Sequence, residues 1–152
     1  MGKEYLITGG AGFIGSNYAK RLITQGENVT IFDNLSRKGA EANLNWVKAE
    51  TGDRSFEFIK GDVRDQETLE KVIRSKDVII HLAAQVAVTS SVYDPRTDFD
   101  INALGTFNVL EGARRSGRQP IIIYASTNKV YGGLEDLKII EKEKHYEFQI
   151  FS

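Results

Sequence analysis

Apolar residues along this chain fall into two alternating patterns. Short, nearly continuous apolar runs occur in EYLITG (4–9), NVTIFD (28–33), SFEFIKG (55–61), DVIIHLA (77–83) and PIIIYAS (120–126). Longer stretches carry apolar positions three or four apart: FIGSNYAKRLITQG (13–26), AEANLNWVKAET (40–51), DQETLEKVIRSK (65–76) and FDINALGTFNVLEGARRSG (99–117). The first pattern predicts strands and the second amphipathic helices. Their alternation predicts βαβ units and a parallel sheet. VIIHLA and IIIYA show no polar alternation, as expected of strands covered on both faces.

Helix punctuation agrees with these boundaries. Asp65 precedes an acidic first turn and is placed to cap its helix, with Lys71, Arg74 and Lys76 towards the far end. Gly26 and Gly117 follow two of the helices in the manner of C′ glycines. No repeat, low-complexity segment or Pro/Gly-rich linker divides the chain, so residues 1–152 read as one domain.

Composition narrows the partners. The 152 residues are 41% apolar and 27% charged, with a net charge of -1 and both signs intermixed. That fits a soluble globular domain and gives no basic patch for nucleic acid and no polybasic tail for a membrane. The absence of cysteine excludes disulfides and thiolate metal sites, and two histidines, His81 and His145, are too few for a histidine metal site. The N-terminus lacks a signal-peptide core, and no apolar run reaches membrane-spanning length. The expected compartment is the cytoplasm.

Candidate chemistry begins at TGGAGFIGS, where Gly9, Gly12 and Gly15 follow a strand and open a helix. Glycines there let backbone approach a pyrophosphate, and the helix N-terminus offers free N–H groups; the alternative is a tight turn without ligand. Asp33 ends the second strand eighteen residues after Gly15, where a carboxylate can accept hydrogen bonds from an adenosine ribose; the alternative is an ordinary turn acid. It would repel a 2′-phosphate and favour NAD over NADP, although nearby Arg37 could bind such a phosphate or stack on adenine. Asp62 in FIKGDVRD either meets the adenine amino group, with Val63 packing on the ring, or serves turn chemistry after Gly61. Ala83 and Ala84 end the fourth strand in small side chains that admit a ring or ribose. His81, inside an apolar strand, reads as a satisfied core histidine rather than a ligand.

TGGAGFIGS, Asp33 in FDN, GDVRD, HLAAQ, Asn102 in FDINALGT and STNKVYG together resemble the extended short-chain dehydrogenase/reductase family, the NAD-dependent epimerases and dehydratases of nucleotide sugars. The resemblance runs along essentially the whole chain. It implies an α/β fold of Rossmann type, a doubly wound parallel sheet with strand order beginning 3-2-1-4-5. It also implies that Gly9, Gly12, Phe13, Ile14 and Gly15 surround the NAD pyrophosphate, and that Asp33, Asn34, Ser36 and Arg37 hold the adenosine end. Asp62 and Val63 would contact adenine, Leu82, Ala83, Ala84 and Gln85 would lie on the nicotinamide side, and Asn102 would lie under the crossover from the fourth strand. Thr127 matches the catalytic hydroxyl position and Ser126 is its neighbour; the alternative for Thr127 is a strand-end hydroxyl that caps backbone. A narrower resemblance, in FDNLSRKGAEANLNW and ASTNKVYGGLEDL, is to members that epimerise a CDP-hexose at C2. Other 4-epimerases and 4,6-dehydratases of nucleotide sugars are the alternative within the family.

The resemblance further implies a catalytic Tyr-x-x-x-Lys pair, spaced to share one helix face. Four positions after Tyr5, Tyr18, Tyr93, Tyr124, Tyr131 and Tyr146 stand Gly9, Leu22, Thr97, Asn128, Glu135 and Ile150, so none of the six tyrosines has this lysine. The expectation is therefore an N-terminal portion of a longer enzyme, inactive by itself; the other class is an NAD-binding module without chemistry. The fifth strand would become an apolar sheet edge prone to self-association. By family resemblance the helix around 98–115 serves a homo-oligomer.

Overall fold

A computed structural model of the protein describes residues 2–52, 54, 56–127, 130, 132–133 and 137–149. Ser55 of the predicted third strand lies outside the described residues. So do Asn128, Lys129 and Tyr131 of STNKVYG, and Leu134 to Asp136 beyond it.

Five parallel strands form the sheet: β1 Glu4–Thr8, β2 Asn28–Asp33, β3 Glu57–Lys60, β4 Val78–His81 and β5 Ile121–Tyr124. Their order is β3-β2-β1-β4-β5, the doubly wound order with its reversal between β1 and β4. Neighbouring apolar residues on a strand point to opposite faces, which splits each run between two cores. Ile7, Ile31 and Ile80 face α1 (Phe13–Thr24) and α2 (Ala40–Thr51), packing with Ala19, Ile23, Leu44 and Val47. Leu6, Phe32 and Ile79 face α3 (Gln66–Ile73) and α6 (Gly105–Arg115), packing with Leu69, Ile73 and Val109. This is why VIIH is buried at all four positions.

Helix ends follow the sequence signals. The Asp65 carboxylate accepts from the Thr68 N–H at 3.2 Å and starts α3. Gly26 and Gly117 take positive φ after α1 and α6.

Two regions depart from the periodicity. The stretch expected as one helix over 99–117 is three pieces: α5 (Pro95–Phe99), a π-helical turn (Asp100–Leu104) and α6. The extra residue of a π turn shifts the side-chain register. Ahead of it lies a short α4 (Val88–Tyr93), which VTSSVY concealed because β-branched and hydroxyl residues are weak helix formers. The start of α5 did carry a signal: Asp94 accepts from the Thr97 N–H at 3.0 Å, and Pro95 occupies the first turn. Near the chain end, Ile139–Glu141 (β6) and Tyr146–Phe148 (β7) pair antiparallel, outside the stretches that the periodicity marked as strands.

Candidate functional site

At the carboxyl ends of the strands, a cleft of about 360 Å³ opens over the switch point between β1 and β4. Gly9, Gly12, Asp33, Asn34, Ser36, Arg37, Asp62, Val63, Leu82, Ala83, Ala84 and Gln85 of the sequence-derived set all line it. Ala87, Ser90 and Ile101 complete the wall beyond β4. Ala87 and Ser90 gave no sequence signal because the short α4 was not legible, and Ile101 gave none because the π turn that carries it breaks the helical register.

The floor is shaped by missing side chains. Gly9 has φ +68, and a Cβ there would sit 2.7 Å from the Ala83 nitrogen. A Cβ on Gly15 would collide with the Gly9 carbonyl. Glycine at both positions lets β1, α1 and the end of β4 meet closely. Gly12 is the N-cap of α1 but carries no capping side chain, and the first turn holds no acid. The amides of that turn therefore lack intrahelical partners beside a positive dipole end, which suits an anionic diphosphate. Phe13 and Ile14 are exposed on the same turn, and Gly15 and Ser16 are buried beneath it.

Asp33 is fixed by backbone. One oxygen accepts from the Ala11 N–H at 3.0 Å and the other from the Leu35 N–H at 2.8 Å. The carboxylate is thereby held at the glycine loop with lone pairs to spare, since two oxygens can accept about four hydrogen bonds. Leu35 takes φ +57 to make this turn, an unusual cost for a branched residue.

Asp62 is more heavily engaged. Arg64 donates to it from Nε at 2.9 Å, from a terminal nitrogen at 2.8 Å and from its backbone N–H at 2.9 Å. Asn34 adds a fourth bond at 2.9 Å. The Arg64 side chain beside it holds the Asp62 carboxyl far below the usual carboxylate range. Asp62 thus performs the turn chemistry and ties the loop after β2 to the loop after β3. Asn34 was not legible as a partner of Asp62, because that contact joins separate loops; Arg64 stands two residues from Asp62, but the fold of the turn decides that its side chain curls back onto the carboxylate.

Beyond β4, Asn102 in the π turn brackets Gln85. Its side-chain oxygen accepts from the Gln85 N–H at 2.8 Å, and its amide donates to the Gln85 carbonyl at 3.0 Å. Asn102 itself does not line the cleft. Val63 is held in the same manner by buried Asn108, whose amide donates to its carbonyl at 2.9 Å. A polar residue on the buried stripe of α6 was the available signal for Asn108.

His81 is buried, with Thr8 against Nδ1 at 2.6 Å and Thr106 against Nε2 at 3.1 Å. Burial pushes its imidazole pKa down to about 4. It is a satisfied core histidine, as the sequence suggested.

Ser126 and Thr127 are exposed just past β5 and do not line the cleft. Among the described residues, no cluster of metal-ligating side chains occurs and no helix is long and apolar enough to cross a membrane.

The GDP-mannose 4,6 dehydratase family model matches residues 6–149, nearly the whole chain. The chain belongs to the extended short-chain dehydrogenase/reductase family of NAD-dependent sugar-nucleotide epimerases and dehydratases. CDP-paratose 2-epimerase of Salmonella typhi is 48% identical over 145 residues, which cover 94% of this chain and 42% of that enzyme. An epimerase structure from Methanothermobacter thermautotrophicus matches with a TM-score of 0.76 and 38% identity, covering 96% of this chain and 41% of the other. UDP-glucose 4-epimerase from Brucella ovis, solved in complex with NAD, matches with a TM-score of 0.73 and 34% identity, covering 86% and 37%. The chain therefore spans about two-fifths of the length of these relatives.

Proposed function

We propose that this chain is the NAD-binding portion of a cytoplasmic nucleotide-sugar epimerase, acting on a CDP-hexose such as CDP-paratose at C2. The observation that carries it is the glycine-floored cleft at the switch point, with the Asp33 carboxylate beside the uncapped N-terminus of α1. The identity to CDP-paratose 2-epimerase supports the CDP-hexose and the 2-position.

The residues present fit a dinucleotide. The first-turn amides of Phe13, Ile14 and Gly15 would donate to the diphosphate, and Asp33 would accept from the adenosine ribose. Ser36 and Arg37 flank that ribose, while Asp62 and Val63 border adenine. Leu82 to Gln85 line the nicotinamide side with small or backbone-held groups. NAD bound there would supply the hydride acceptor and donor for transient oxidation of a sugar carbon and its reduction from the opposite face. Thr127, with Ser126 beside it, would orient the reacting sugar hydroxyl. The tyrosine that removes its proton, and the lysine that lowers that tyrosine's pKa, are supplied by no Tyr-x-x-x-Lys in this chain. The chain alone accordingly binds NAD without turning over sugar. The exposed Phe99, Leu104, Phe107 and Leu110 on α5, the π turn and α6 would serve a homo-oligomer.

Calorimetric titration tests this directly. NAD is expected to bind and NADP to bind at least tenfold more weakly, because Asp33 repels a 2′-phosphate. Equal affinity for the two, or conversion of CDP-paratose by this chain alone, would overturn the reading.

A further inference from the structure

A directed hydrogen-bond chain runs from the glycine-loop strand to the π turn, through side chains that do not line the cleft. The Thr106 hydroxyl donates to the Asn102 carbonyl at 2.6 Å, so its oxygen is left to accept. His81 Nε2 lies 3.1 Å from that oxygen, which assigns the proton of the neutral ring to Nε2. Nδ1 is then an acceptor, and the Thr8 hydroxyl donates to it across 2.6 Å. The Thr8 oxygen in turn accepts from the Ala83 N–H at 3.4 Å. At the other end, Asn102 holds both backbone polar groups of Gln85 and donates to the Asp98 carboxylate at 3.1 Å.

Every link has one direction. If Thr106 cannot accept, the His81 Nε2–H is buried without a partner and the ring has no reason to keep its tautomer. A proton on Nδ1 would force Thr8 to turn its hydroxyl away, disturbing the bond to Ala83. Loss of the Thr106 hydroxyl also frees the Asn102 carbonyl within the π turn that holds Gln85.

We propose that Thr106, acting through His81 and Asn102, is a positioning residue for the half of the cleft that receives the second nucleotide of NAD. The inference rests on the NAD reading above. Ala83 and Gln85 edge the cleft over β4, across the switch point from Asp33, where the second mononucleotide of a doubly wound fold lies. The adenosine half hangs on a separate set of bonds, from Ala11, Leu35 and Asn34. Damage to the chain of hydroxyls should therefore separate the two halves, which a loss of global stability would not do.

The experiment titrates NAD and ADP into this chain and its Thr106→Val and Thr106→Ser variants, and reads the His81 ring nitrogens by 15N NMR. Thr106→Val is expected to weaken NAD roughly five- to tenfold, the scale of one lost buried hydrogen bond. ADP affinity stays within about twofold, as its bonds lie in the other half. Thr106→Ser restores NAD affinity, and the unsubstituted chain shows the Nε2–H tautomer. Equal losses for both ligands, no loss for either, or failure of serine to rescue would overturn the proposal. If Thr106→Val does not fold, the tautomer still decides: a proton on Nδ1 breaks the chain and the proposal with it. Binding of neither ligand by the unsubstituted chain would instead sink the NAD reading, leaving the tautomer alone to judge the relay.

Discussion

Between Thr8 and Thr106, the His81 ring has traded solvent for two hydroxyl partners, and burial lowers its pKa from 6.5 to about 4. The unfolded chain therefore takes up this proton first as pH falls. Stability from His81 is fully present above pH 6.5 and is lost progressively between 6.5 and 4. The shift corresponds to at most about 3 kcal/mol. Urea midpoints measured across that window should fall with pH, and His81→Gln should flatten the dependence; a parallel slope in the variant would refute the assignment. At this scale the sequence was informative about place, since Asp33 lies beside the glycine loop on the wall of the cleft. It was silent about Thr8 and Thr106, because a hydroxyl advertises nothing until its partner is placed. Asp62 had two uses, and only the position of Arg64 and Asn34 revealed the bonds it makes.

Among the five strands of the parallel sheet, β5 is the least covered. Its residues Ile121 and Ile123 pair with buried Val78 and Ile80, yet are 59% and 51% exposed. The layer of α1 and α2 packs over β1, β2 and β4 and stops short of this strand. Exposed edges with an apolar face recruit other chains. Light scattering should show concentration-dependent self-association of this chain, reduced in an Ile121→Thr/Ile123→Thr variant that keeps strand propensity. A monodisperse monomer at high concentration would contradict this. IIIYA read as a strand covered on both faces; the described elements cover only the side of Ile122. The segment from 88 to 104 was harder still. Its helices are too short for a period to emerge, and the π turn breaks the register that a helical count assumes.

The two ends of the sheet differ across the whole molecule. At the amino ends of the strands, buried Lys76 donates to Thr30 at 2.7 Å and lies 3.8 Å from Glu4, while Thr30 donates to Glu57. That end is closed by paired charges and hydroxyls. The carboxyl ends of β1 and β4 instead meet at glycines and alanines, leaving backbone and space for a ligand. A ligand that binds only the folded chain raises its stability by mass action. NAD at 100 times its Kd should raise the Tm by roughly 5–10 °C, from about 2.7 kcal/mol of linkage in a domain of this size. Thermal melts with and without NAD check this, and an unchanged Tm at saturating NAD would argue against the site.

What the sequence determined by itself was the alternation of strands and helices and the glycines and carboxylate that border the cleft, which follow from local periodicity and from spacing with a direct physical meaning. The order of the sheet came from the family resemblance and agrees with the observed β3-β2-β1-β4-β5. Tertiary structure decided the rest. Residues far apart in the chain had to come within hydrogen-bonding distance before Asn34 could tie to Asp62, Asn102 could bracket Gln85, or Thr8 and Thr106 could enclose the His81 ring.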